Sequence, residues 1–162
     1  MDFDGAVSKD GASIGIWIRS PIFQPENVPS NVRVCAYKLA FDCSNNEAEY
    51  EALIAGLKIL KKLNAKRISV YGDSELIIKQ VKGEYQDKHP RLRAYRNAVL
   101  DILKTFLEYT LKAVPRMKNL IADSLATTAS NLKVLMNSSN KFEIYIKQRP
   151  AVPDNLRYWQ VF

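Results

Sequence analysis

A chain of 162 residues with 47% hydrophobic and 25% charged residues has the composition of one globular domain with a short appendage, which excludes disorder as the default. No apolar run approaches the roughly 20 residues that span a bilayer, and Asp2 and Asp4 stand where a secretory leader carries basic residues, so an intracellular protein, cytoplasmic or nuclear and not secreted, is expected. The net charge of +7 favours polyanionic partners, although a merely soluble basic protein has the same balance. Cys35 and Cys43 form neither a metal-ligand spacing nor a disulfide framework.

In chain order, residues 1–19 read as two short strands around a turn. Asp10-Gly11 is a hairpin signal, and Ile14, Ile16 and Ile18 alternate with Gly15, Trp17 and Arg19. A loop with Pro21, Pro25 and Pro29 follows. Residues 31–41 alternate as a third strand, with Val32, Val34 and Ala36 on one face and Arg33, Cys35 and Tyr37 on the other. The clearest helix spans residues 45–63, opened by Ser44 and Glu47 as a capping box. At 100° per residue its apolar arc holds Ala48, Leu53, Leu57 and Leu60, while Glu47, Glu51, Lys58, Lys61 and Lys62 fill the opposite arc. Glu49 falls inside the apolar arc. An inward acid is costly unless it is paired, protonated or bound to a metal.

Residues 66–72 then form a compact strand, and Asp73-Ser74 starts a helix to about Val81. Pro90 opens a helix to about Phe106, residues 107–114 read as the fifth strand, and residues 116–131 as a closing helix. Strands first, then alternating helix and strand, predict a mixed sheet with helices packed on it. After residue 132 the pattern degrades: residues 141–147 are compatible with a strand, and the end carries Pro150, Pro153, Tyr158, Trp159 and Phe162.

Four acids, Asp4, Glu49, Asp73 and Asp123, sit at expected strand ends or on helices. Each alone has an ordinary explanation: Asp4 as a turn residue, Asp73 as a helix cap, Asp123 on a helix surface, Glu49 paired with a buried lysine. Gathered in one cleft, their repulsion would be relieved by divalent cations. Lys79, Lys82, Lys88, His89, Arg91, Arg93 and Arg96 follow Asp73, and Lys112, Arg116 and Lys118 precede Asp123. Cations flanking an acidic site suit a phosphate backbone drawn across it.

The order Phe-Asp-Gly-Ala, then Asn-Asn-Glu-Ala-Glu-Tyr-Glu-Ala-Leu-Ile-Ala-Gly-Leu, then Gly-Asp-Ser-Glu-Leu, then Val-Pro-Arg and Ala-Asp-Ser-Leu-Ala resembles the type 1 ribonuclease H family. It looks closest to the reverse-transcriptase-associated branch of plant long-terminal-repeat retroelements. The resemblance covers residues 2–130, which sets an expected domain of residues 1–130 and an extension over 131–162 similar to retroelement connecting sequence. It implies an α/β ribonuclease H-like fold, a five-stranded mixed sheet with helices on both faces. It also implies two Mg²⁺ or Mn²⁺ ions held by Asp4, Glu49, Asp73 and Asp123, hydrolysing the RNA strand of an RNA–DNA hybrid, within a larger polyprotein.

Asn45 and Asn46 match positions that contact the hybrid minor groove, and equally suit a helix's first turn. With Ser74, Glu75, Lys79, Arg91, Arg93 and Arg116 they complete the expected nucleic-acid-binding set. The chain departs from the family at Ala113, where many members carry a histidine. Its first strand has only Met1, Asp2 and Phe3 ahead of Asp4, which predicts a short ladder and a loosely held acid. A catalytically weak or inactive domain that still binds nucleic acid is the alternative, and an interaction module docking through its aromatic tail is a third.

Overall fold

Asp10-Gly11 does turn a hairpin. Gly11 takes a left-handed φ of 116°, which a side chain would strain, and joins β1 (Asp2–Ser8) to β2 (Gly11–Arg19) in antiparallel register from Asp2 opposite Trp17 to Ser8 opposite Gly11. The computed structural model describes residues 1–19, 32–86, 89–119 and 144–153. The Pro-rich loop, the expected domain boundary at residue 130, Asp123 and the aromatic tail lie outside them.

The first strand is not short. β1 continues past Asp4 to Ser8 and pairs with β2 along its whole length, so Asp4 sits in mid-strand rather than at a strand end. On its other side β1 runs parallel to β4 (Arg67–Gly72) through Asp2–Tyr71 and Phe3–Gly72. Beyond those pairs, the N-terminal ammonium donates to the Ser69 carbonyl at 2.8 Å and the Tyr71 amide donates to the Met1 carbonyl at 2.8 Å. The glycine at position 5 lets the strand run on beneath a helix instead of ending.

β3 (Val32–Leu39) pairs antiparallel with β2, and β5 (Glu108–Ala113) runs parallel to β4. The sheet has six strands rather than five, in the order β5-β4-β1-β2-β3-β6. The extra one, β6 (Ile144–Lys147), adds parallel to β3 with Tyr37 opposite Tyr145 and their rings 5.2 Å apart. β3 alternates as expected: Cys35 and Leu39 join the main core, while Ala36 packs with Trp17 and Val34 in a smaller cluster.

Ser44 caps α1 (Asn45–Lys62), its hydroxyl oxygen accepting from the Glu47 amide at 3.2 Å. α1 lays Ala48, Leu53, Leu57 and Leu60 into the core with Ile14, Ile16 and Val70. α2 (Glu75–Lys82) and α3 (Pro90–Leu103) pack with it. The Tyr50 hydroxyl donates to Gln80 of α2 at 2.8 Å, and the Tyr50 and Tyr95 rings stack at 5.7 Å. α3 stops at Leu103, three residues before the expected Phe106, and the chain turns through Thr105 into β5. Of the closing helix expected over residues 116–131, the described part is a 3-10 turn, Arg116–Asn119; the cover it would give the second face of the sheet lies outside the described residues.

Glu51, expected in water, is 0% exposed. Its carboxylate accepts from the Tyr95 hydroxyl at 2.6 Å, from Lys147 Nζ at 2.8 Å and from the Ala151 amide at 2.8 Å. The helical phase of Glu51 is as expected, but α3 and the segment after β6 cover that side of α1. Full pairing is what makes a buried carboxylate tolerable. Glu47 is likewise covered, its Oε2 accepting from Arg91 Nε at 3.0 Å. Among the described residues no helix is long and apolar enough to cross a membrane.

Candidate metal centre

Three of the four expected acids meet. Asp4, Glu49 and Asp73 each present a carboxylate oxygen within 4.8 Å of the others. They reach that cleft from three elements: β1 in mid-strand, the second turn of α1, and the residue after β4. The β1–β4 pairing ends at Phe3 and Gly72, so the two chains part where the acids stand, opening a crevice at the carboxyl end of β4 as open α/β sheets do.

Local structure explains each position. Gly5 brings strand and helix together: a Cβ there would lie 2.6 Å from both the Ala48 carbonyl oxygen and the Glu49 nitrogen. That backbone-to-backbone approach aims Glu49 at Asp4. Ser74, not Asp73, caps α2, its hydroxyl accepting from the Ile77 amide at 3.4 Å. The capping explanation for Asp73 is thereby removed, and its carboxylate joins the cluster.

The electrostatics are those of a site built for positive charge. Burial pushes the Glu49 carboxyl far above the usual carboxylate range, and the hydrogen bond to Asp4 and the charges of Asp4 and Asp73 push it further, against a smaller downward pull from the Gly5 amide. Glu49 Oε2 is buried with no hydrogen-bond partner. An orphaned carboxylate oxygen beside two more carboxylates is a donor set that fits a hard divalent cation. The residues present therefore suit Mg²⁺ or Mn²⁺. The bland alternative for Glu49, a pair with a buried lysine, is not what surrounds it.

The expected nucleic-acid contacts divide. Asn45, Arg93 and Arg116 are exposed, and Asn46 and Ser74 are half-buried near the start of α1 and α2. Lys79 pairs with Glu75 at 2.7 Å and lies 5.1 Å over the Tyr85 ring. Arg91 departs from its expected role. It is 5% exposed, pairs with Glu47, and donates to the Val152 carbonyl at 3.1 Å. Its guanidinium is spent inside the fold rather than offered to a phosphate. His89 is exposed at the N-cap position of α3, where its side chain makes no capping hydrogen bond, and Ala113 ends β5 opposite Gly72, one residue from Asp73.

One buried polar residue near the site has no counterpart among the sequence expectations. Asn119 ends the 3-10 turn after β5, and its Nδ2 donates to the Phe3 carbonyl at 2.9 Å. An asparagine in the first turn of the expected closing helix, beside Arg116 and Lys118, carries no signal of burial, so its contact was not legible beforehand.

The chain matches the family described as "Reverse transcriptase-like" over residues 2–129. Ribonuclease HI of Halobacterium salinarum is 38% identical over 86 residues, covering 53% of this chain and 43% of that protein; the chain spans less than half the length of the curated relatives it matches. The crystal structure of RNase H1 from Halobacterium salinarum superposes with a TM-score of 0.71 at 31% identity, covering 80% of this chain and 95% of that one. LC11-RNase H1, solved in complex with an RNA/DNA hybrid, superposes at 0.65 with 28% identity, covering 82% and 96%. On the matched span, the shared fold and the acids in their cleft, the chain belongs to the reverse transcriptase-like family, within the type 1 ribonuclease H proteins.

Proposed function

We propose that the chain is a metal-dependent endonuclease that hydrolyses the RNA strand of RNA–DNA hybrids. The observation that carries this reading is the convergence of Asp4, Glu49 and Asp73 within 4.8 Å, three acids whose mutual repulsion has no structural use without a cation. Asp4, Glu49 and Asp73 would hold two divalent ions with Asp123 as the fourth acid, and the ions when bound supply charge neutralisation and Lewis acidity at the scissile phosphate. The chain's own part is to fix that geometry. The Gly5 approach holds Glu49 against Asp4, and the Ser74 cap leaves Asp73 directed at both.

Asn45 and Asn46 at the start of α1 are suited to the minor groove, where 2′-hydroxyls distinguish RNA from DNA. Lys79, Arg93 and Arg116 are suited to phosphates, and Ser74 and Glu75 flank the same edge. Arg91 drops out of the set. A setting within a larger retroelement polyprotein belongs to the same reading, on the likeness of the last residues to connecting sequence.

Cleavage of a labelled hybrid with Mg²⁺, with Mn²⁺ and with chelator tests it. The parent should cut only with metal, and Asp73→Asn should bind hybrid yet not cut. An Asp73→Asn variant that cleaves as well as the parent removes the acid from catalysis and sinks the reading. Ala113 favours a slower variant of the same function, since alanine offers no proton-transfer group beside Gly72.

A further inference from the structure

Two carbonyls at the start of the chain, that of Met1 just ahead of β1 and that of Phe3 within it, are satisfied differently. Met1 O accepts from the Tyr71 amide at 2.8 Å, an ordinary ladder bond. Phe3 O, one ladder step on and at the point where β1 and β4 part, accepts from Asn119 Nδ2 at 2.9 Å. Asn119 is 1% exposed. Its other end, Oδ1, is buried with no hydrogen-bond partner. A carboxamide that uses one end and strands the other is a poor choice for stability, because an unsatisfied buried acceptor costs about 1–3 kcal/mol. An apolar side chain there would remove the stranded acceptor but would leave the Phe3 carbonyl without its donor, so the carboxamide is kept for the clamp it makes. Such a residue belongs with the strained or half-satisfied groups that accompany function.

Its position says which function. The Phe3 carbonyl belongs to the peptide that joins Phe3 to Asp4, so the bond from Asn119 fixes the plane of the peptide that carries Asp4. Asp4 leaves the sheet's parallel ladder at this step, and on the β4 side no further strand pairing holds it. Asn119 also ends the turn that leads the chain from β5 towards residue 123 in sequence. One side chain thus ties the strand bearing Asp4 to the segment that precedes the fourth acid.

We propose that Asn119 is a positioning residue of the acidic centre: its carboxamide clamps the Phe3 carbonyl and so sets the direction of the Asp4 carboxylate towards Glu49 and Asp73. The inference rests on the metal-dependent reading above and deepens it. It concerns how the centre is held, not a group that touches substrate.

The test compares the parent with Asn119→Ala and Asn119→Leu, the second keeping the γ-branched shape while removing both the clamp on Phe3 and the stranded acceptor. Mn²⁺ affinity is measured on the full chain without substrate, by calorimetry or water-proton relaxation, alongside melting temperature and hybrid cleavage. Loss of a group that orients a metal ligand typically costs 10–100-fold in affinity or activity. Both variants should therefore bind Mn²⁺ at least about tenfold more weakly and lose kcat with little change in hybrid KM, even where Asn119→Leu melts no lower than the parent. In the parent, the Asn119 side-chain amide resonances should be protected from exchange and should shift on Mg²⁺ addition, a readout that survives if Asn119→Ala does not fold. Variants that melt lower but bind Mn²⁺ as the parent does would overturn the inference and leave the functional reading standing. A parent that binds no Mn²⁺ overturns that reading, and the inference with it.

Discussion

Gly5 of β1 lies so close to Ala48 of α1 that a Cβ on the glycine would stand 2.6 Å from the Ala48 carbonyl oxygen. Both sides of that contact are backbone, so no rotamer change can relieve it. The approach is what brings the second turn of α1, and with it Glu49, down onto the strand that carries Asp4.

Gly5→Ala should therefore act on the centre without altering any acid. Overpacking a tight core contact costs about 1–3 kcal/mol, and because α1 must lift, Mg²⁺ affinity should fall together with stability. Denaturant unfolding with and without Mg²⁺ reads both quantities. A variant that is destabilised yet keeps its full Mg²⁺-induced gain would show that the approach serves packing alone.

Glu49 makes metal-free stability depend on pH. Burial first, then Asp4 and Asp73, raises its folded pKa above the ordinary value of 4.5. The folded state then keeps a proton that the unfolded chain has released. This contribution is fully present below the ordinary value and is lost as pH rises towards the folded one. Glu49→Gln removes the dependence. In the presence of chelator the variant should melt above the parent, by about 3 °C for each 1 kcal/mol in a chain of this size. The gap should widen as pH rises from weakly acidic to weakly alkaline. Added Mg²⁺ should raise the parent and leave the variant largely unmoved; equal Mg²⁺ responses would take Glu49 out of the centre.

Lys147 neutralises a carboxylate that has no water to turn to. Removing one partner of a buried pair costs about 3–5 kcal/mol, and since Lys147 is part-exposed, Lys147→Met should fall at the low end of that range. Ending the chain before β6 removes both Lys147 and the Ala151 amide from Glu51, so the truncated chain should lose more than the point variant. Thermal melts of the two would check the order. Equal stability of the truncated and full chains would mean that β6 is an accessory to the fold.

Ala113 stands opposite Gly72 at the end of β5, beside Asp73. A well-placed acid–base group contributes about 10²–10⁴-fold. Ala113→His should recover part of that, seen as a steady-state rate at least about fivefold above the parent, with a smaller change in single turnover if product departure is limiting. Unchanged rates in both regimes would show that this branch does without the imidazole.

Much of the site was legible locally. The helical phase of α1 singled out Glu49 as inward, and the Ser44 cap set where that helix starts. The same arithmetic misplaced Glu51. Helical phase states which way a side chain leaves its own axis, not what later covers that side. Here the cover comes from Tyr95, 44 residues on, and Ala151, 100 residues on. Arg91 was misjudged for the same reason, as one cation in a basic run expected to meet a phosphate backbone. The length of β1 was misjudged from the three residues ahead of Asp4, because the strand runs on through Gly5 to Ser8, against the backbone of α1.

By itself the sequence determined what depends on neighbours a few residues apart: the hairpin at Asp10-Gly11, the phase and cap of α1, the order of strands and helices, and four acids at telling positions. The tertiary structure decided what depends on which distant segments share a sheet edge or a helix face. That includes the sixth strand, the burial of Glu51 and Arg91, the clamp from Asn119 onto Phe3, and the meeting of Asp4, Glu49 and Asp73. Local propensity is written in adjacent side chains. Convergence requires closing long loops and choosing one strand register, and those choices are settled only when the whole core packs at once.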